Sequence, residues 1–144
     1  MNEKSSAVAP SAAKAKTAES EKITINMGYV DLGQIDLLVA EGFYSNRTDF
    51  IRTAIRNQLG RHEDAVKSSV HRKQLELGLR HYSRSDLEAV EARGEMLSIS
   101  VLGLANIARD VTPDLALRTI ASLEVLGALH VSAEVRAALG DRIR

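Results

Sequence analysis

Residues 21–59 read EKITINMGYVDLGQIDLLVAEGFYSNRTDFIRTAIRNQL, and this stretch decides the N-terminal architecture. From Lys22 to Met27 the residues alternate. Ile23, Ile25 and Met27 take one face, and Lys22, Thr24 and Asn26 take the other, which is the period of a β-strand. A lone strand satisfies neither its backbone nor its apolar face, and even an isolated hairpin is marginal in water. The stretch is therefore half of a structure, and a second copy of the chain is the obvious other half.

Two helical patterns follow the strand. The first covers about Val30 to Ala40, with Leu32, Ile35, Leu38 and Val39 as its apolar stripe and Gly33 as a mild defect. Gly42, just beyond, suits a left-handed helix stop. The second begins at Asn46. Asn46 with Asp49 three residues on resembles a capping box in which Asp replaces the usual Glu. Phe50, Ile51, Ala54, Ile55 and Leu59 continue at helical spacing.

Behind this segment the chain repeats itself. LELGLRHYSRSDLEAVEARG, SVLGLANIARDVTPDLALRT and EVLGALHVSAEVRAALGDRI each hold an apolar run, a polar break and a helix start. Gly78, Gly103 and Gly127 mark equivalent points at spacings of 25 and 24 residues. Ser83 or Ser85 before Asp86, Thr112 before Pro113, and Ser132 before Glu134 are helix-entry signals. Gly94 and Gly140 sit where helices should end. A β-α unit at this period predicts a stacked array, with parallel strands and helices on one face. The fold class expected is α/β: one strand and two helices in an intertwined dimer, then a β-α repeat domain with a small parallel sheet. The expected boundaries are a disordered tail at 1–20, a dimerising domain at 21–62, a linker or helix extension at 63–72, and the repeat domain at 73–144.

Composition narrows the function. The chain has 144 residues, is 44% hydrophobic, and has no cysteine, which excludes disulfides, thiolate metal sites and cysteine nucleophiles. The start MNEKSSAVAPSAAKAKTAESEK lacks the apolar core of a signal peptide, and no run reaches the roughly 18 apolar residues of a membrane span. These features predict a cytoplasmic protein with no membrane partner. The formal net charge is zero, which argues against a generic polyanion binder. It is divided unevenly, with a net +3 over residues 1–84 and −3 over residues 85–144.

In order, the strand, the first helix, the Gly42 turn and N-R-T-D-F-I-R resemble the ribbon-helix-helix family of DNA-binding regulators, of the CopG/Arc/MetJ type. GFYSNRTDFIRTAIR resembles the turn and second helix of the ParD-like branch. The resemblance covers about 40 residues of the chain. It implies a homodimeric, nucleoid-associated regulator of transcription, a repressor, whose paired strands enter the major groove of double-stranded DNA. It assigns base reading to Lys22, Thr24 and Asn26, whose chemistry suits guanine, adenine and thymine edges. It assigns phosphate gripping to Asn46, Arg47 and Thr48 at the start of the second helix, where free N–H groups and the helix dipole favour an anion. The chain departs from the family at Met27-Gly28-Tyr29, where many relatives have a Leu-Pro or Leu-Ser helix entry. Glu21 beside the reading face is unfavourable to phosphate.

The repeat leaves three roles open: higher assembly through residues 73–144, ligand sensing, and binding of a toxin partner as in ParD-like antitoxins. His81, Asn106 and His130 each fall three residues after a repeat glycine. On a stacked sheet the two histidines would stand two strand spacings apart, awkward for one ion, so neither a metal nor a cofactor is expected. No nucleophile elbow, phosphate loop or metal-helix motif is present, so no catalytic residues are assigned and no enzyme is expected. The alternative of a different class is a self-assembling scaffold that uses the strand-helix-helix unit only to dimerise.

Overall fold

The structure, a computed structural model, describes residues 20–144. The expected tail lies outside the described residues, except at its last position. The chain divides into two compact units, one of residues 20–69 and one of residues 70–144.

In the first unit, residues 20–28 belong to neither helix nor sheet. Helix α1 spans Tyr29–Ala40 and helix α2 spans Arg47–Arg61. Helix α1 starts one residue before Val30. Its N-cap is Gly28, which offers no side chain to the free N–H groups. Its C-terminus is better held. Gly42, at φ +86°, gives its N–H to the Val39 carbonyl at 3.1 Å, and the Phe43 N–H reaches the Leu38 carbonyl at 3.0 Å. This pair of bonds is a Schellman stop, which needs a residue tolerant of positive φ. A third helix, α3 (Glu63–Lys73), follows α2 after His62 and reaches into the second unit. It ends on another Schellman pair, Gln74 N–H to the His71 carbonyl and Leu75 N–H to the Val70 carbonyl, with Gln74 at φ +53°.

The second unit is a three-strand parallel sheet in the order β1 (Glu76–Tyr82), β2 (Leu97–Ile107), β3 (Ile120–His130). Helices α4 (Arg84–Ala92), α5 (Pro113–Thr119) and α6 (Ala133–Leu139) follow the strands in turn. Each helix is capped by a hydroxyl that the sequence placed there. Ser83 accepts from the Asp86 N–H, Thr112 from Leu115, and Ser132 from Val135, each cap being worth about 1 kcal/mol. At Ser83 the box is complete, since the Asp86 carboxylate accepts the Ser83 N–H at 2.9 Å.

The core lies on one side of the sheet. Ile99, Val101, Ala105 and Ile107 of β2 and Leu123 of β3 pack with Leu87 of α4, Leu115 and Ala116 of α5, and Val135 and Leu139 of α6. Fully burying a side chain such as Leu87 or Leu123 contributes about 1.5–3 kcal/mol. All three helices thus cover the same sheet face. On the other face Leu77, Leu79 and Leu126 are exposed.

The repeat is also a repeat in space. Gly78, Gly103 and Gly127 are partners on adjacent strands, as are His81, Asn106 and His130. The three glycines have φ of +123°, +141° and +126°. Helix α5 runs into β3 with no loop between them. Arg142 closes that junction by donating to the carbonyls of Leu117 at 2.7 Å and Ile120 at 2.9 Å. Ile143 then bridges Leu123 beside β3, and the Arg144 N–H reaches the Leu123 carbonyl at 2.9 Å.

Candidate nucleic-acid interface

The first unit lacks a core of its own. Ile35 is the one fully buried residue among residues 20–69. Ile23 is 75% exposed, Ile25 61% and Met27 38%. Val30, Leu37, Phe43, Ile55 and Leu59 are exposed as well. So much apolar surface in a segment of this size marks a contact site. Lys22, Thr24 and Asn26 are exposed on the same stretch as the three apolar residues.

The turn between α1 and α2 is held by local contacts. Asn46 has extended backbone, and its side-chain oxygen accepts the Asp49 N–H at 2.8 Å. The reciprocal half of the expected box differs. The Asp49 carboxylate accepts from the Ser45 N–H at 2.9 Å, one residue before the N-cap. Asp is one methylene shorter than Glu, and here it closes on Ser45. Tyr44 and Phe50 meet edge to face with ring centroids 5.0 Å apart, which ties the turn to α2.

Arg47 has a partner that sequence reading missed. Its guanidinium forks onto Asp36 of α1, with Nε to Oδ1 at 2.8 Å and the second nitrogen to Oδ2 at 2.9 Å. The hydrogen bonds from Arg47 hold the Asp36 carboxyl below its usual range, and Asp36 raises Arg47 in turn. Both side chains are about half exposed, so the pair is open to solvent and to an incoming anion. Asp36 and Arg47 are 11 residues apart, so no within-helix spacing rule points to the contact. Thr48 is exposed at the second position of α2.

The structure therefore places Asn46, Arg47 and Thr48 together at the start of one helix. Asn46 serves as its cap and Arg47 is joined to α1. Lys22, Thr24 and Asn26 fall on the extended stretch that precedes α1.

A strand-patterned segment, two short helices and a polar helix entry define the class of small regulators that assemble from paired strands. The family described as Ribbon-Helix-Helix transcriptional regulator family matches residues 18–136, and the chain belongs to that family. No curated protein and no solved structure gives a match. The family match runs well beyond the 40 residues that carry the sequence resemblance. It takes in the strands and helices of the repeat as far as Arg136 of α6, so the repeat is part of the family pattern. Regulators of this kind bind DNA, typically as dimers, and are generally not enzymes. Among the described residues no helix is long and apolar enough to cross a membrane.

Proposed function

We propose that the chain is a homodimeric, sequence-specific repressor that reads the major groove with a ribbon made of residues 22–27 from two copies. Residues 21–62 act as the dimerising and DNA-binding domain, and residues 73–144 serve assembly or sensing. The observation that carries this reading is the missing core of residues 20–69. Ile23, Ile25 and Met27 stay exposed within one chain while Ile35 alone is buried. Pairing with a second copy buries them and provides backbone partners for residues 20–28. Lys22, Thr24 and Asn26 are then left on the outer face of the ribbon, where each good base contact is worth about 1–3 kcal/mol of discrimination.

In this reading the start of α2 grips the DNA backbone. Asn46 sets the entry geometry, Thr48 offers a hydroxyl, and Arg47 moves from Asp36 to a phosphate. Such contacts set orientation but carry no sequence information. The Asp36 carboxylate opposes the grip until Arg47 is released from it.

The test is DNA binding over a range of salt concentrations, on a duplex of the protein's own promoter region and on a scrambled duplex. Wild type is compared with Lys22→Ala/Thr24→Ala/Asn26→Ala. The triple variant is expected to lose at least about a hundredfold in affinity for the promoter duplex, while its weak binding to the scrambled duplex persists. Equal promoter binding by the two proteins refutes the groove reading.

A further inference from the structure

Strand β1 is an edge strand. It pairs with β2 on one side, and among the described residues its other side takes no partner. The opposite edge of the sheet differs, because Ile143 and Arg144 return to Leu123 of β3. One end of the array is thus partly closed by its own C-terminus, and the other end is open. An open edge is a template for another strand.

The edge is self-complementary. Glu76-Leu77-Gly78-Leu79-Arg80 is symmetric in size about Gly78 and opposite in charge at its two ends. Glu76 and Arg80 lie on the helix side of the sheet, in line with Val101 and Ala105 of β2, and they form an ion pair within the strand. Leu77 and Leu79 lie on the uncovered side, 69% and 56% exposed.

We infer that β1 pairs antiparallel with β1 of a second copy, on a two-fold axis at Gly78. In that register Glu76 faces the second copy's Arg80, and Arg80 faces its Glu76. Leu77 faces Leu79 in the same way. Directly opposed residues of antiparallel strands share a face of the sheet, so both charge pairs fall on one side and both leucine pairs on the other. A shift of one residue sets Leu77 against Arg80 on a shared face and turns the second copy's helices to the other side of the sheet. A shift of two sets Glu76 or Arg80 against glycine. No other nearby register satisfies both charges.

Head-to-tail growth of the array is the rival arrangement. Continuing the internal register, β1 would lie parallel to β3 of the next copy, with Glu76 beside Val125, Leu77 beside Leu126 and Arg80 beside Leu129. Each charge would then abut an apolar side chain. The antiparallel pair satisfies both charges and closes after two copies. It makes one continuous six-strand sheet with the leucines in a band across its centre. This pairing goes beyond the DNA-reading proposal and does not depend on it.

The chain has no cysteine, so single cysteines report the register in the full-length protein. Leu77→Cys and Leu79→Cys chains, one carrying a size tag, are mixed and treated with an oxidant or a short bis-maleimide. Leu77→Cys with Leu126→Cys is treated in parallel. The expected product is a covalent Leu77→Cys to Leu79→Cys pair, at least tenfold above the other combination. Adding Glu76→Arg or Arg80→Glu alone removes that product, and adding both together restores it. Circular dichroism and melting of each variant separate lost pairing from lost folding. Preferential linkage of position 77 to position 126 overturns the proposal in favour of head-to-tail growth. Equal yield from both combinations, or none from either with folding intact, also overturns it. DNA binding by the same variants is measured separately, so failure here is distinguishable from failure of the groove reading.

Discussion

Replacing Gly103 or Gly127 by Ala should damage the repeat far more than the same change at Gly78 or Gly94. A Cβ on Gly103 would lie 2.1 Å from the Gly78 carbonyl oxygen, and one on Gly127 would lie 2.0 Å from that of Gly103. Even the close carbon-oxygen contacts of sheets are about 3.3 Å, so adjacent strands would have to separate by roughly 1 Å. Both clashing groups are backbone, and neither can rotate away. The positive φ alone costs about 1–3 kcal/mol. Two broken ladder bonds add about 0.5–1.5 kcal/mol each, for a total of about 2–6 kcal/mol. Domains are stable by only about 5–15 kcal/mol. At about 4–8 °C per kcal/mol for a unit of this size, the melting temperature should fall by at least about 8 °C. Gly78 and Gly94 have positive φ too, but an added Cβ meets nothing within 4 Å, so only conformational strain of about 1–3 kcal/mol remains. Scanning calorimetry of the full chain and its four single Gly→Ala variants makes the comparison. If Gly103→Ala and Gly127→Ala melt within about 3 °C of Gly78→Ala, close glycine stacking does not explain the repeat.

Two further outcomes follow from polar contacts. Asp36→Asn removes the competitor for Arg47, so DNA affinity should rise at low salt, while Arg47→Ala should lower affinity and reduce the salt slope by about one. An unchanged slope means that Arg47 does not reach phosphate. Asp86 is held below the usual carboxyl range by the Ser83 N–H and hydroxyl. Its contribution is therefore complete above the unfolded pKa of about 3.9 and is lost as pH falls through the lower folded value. Wild type should melt above Asp86→Asn at neutral pH, and the gap should narrow on acidification below about pH 4. A gap that stays constant down to pH 2 contradicts this cap.

Local signals in the sequence translated well into structure. Asn46, Ser83, Thr112 and Ser132 are helix caps, because a short polar side chain satisfies N–H groups only two or three residues away. Gly42 and Gly94 end their helices for an equally local reason. The 25- and 24-residue glycine spacing correctly implied stacked parallel strands. Contacts across turns were not legible. The Arg47–Asp36 fork joins two helices through a turn whose exit angle no periodicity states. Asp49 accepts from Ser45 rather than from its own N-cap, whereas Asp86 at the same position of α4 accepts from its N-cap Ser83, and residue type alone does not separate the two. The sequence over residues 63–73 does not decide between helix and linker, since polar residues without an apolar stripe suit either equally, and the structure makes it the helix Glu63–Lys73.

The alternation over Lys22–Met27 is legible in the residues alone, and it predicts an apolar face that a partner would cover. The reason is that alternation at period two sorts apolar from polar side chains, whereas one chain by itself leaves residues 20–28 outside helix and sheet. Tertiary structure decided how much remains open. It showed that residues 20–69 bury little beyond Ile35. It also showed that the three glycines stack carbonyl against Cα, and that helices cover just one side of the sheet. These depend on how elements meet in space, and side-chain order along the chain does not encode that separation or direction.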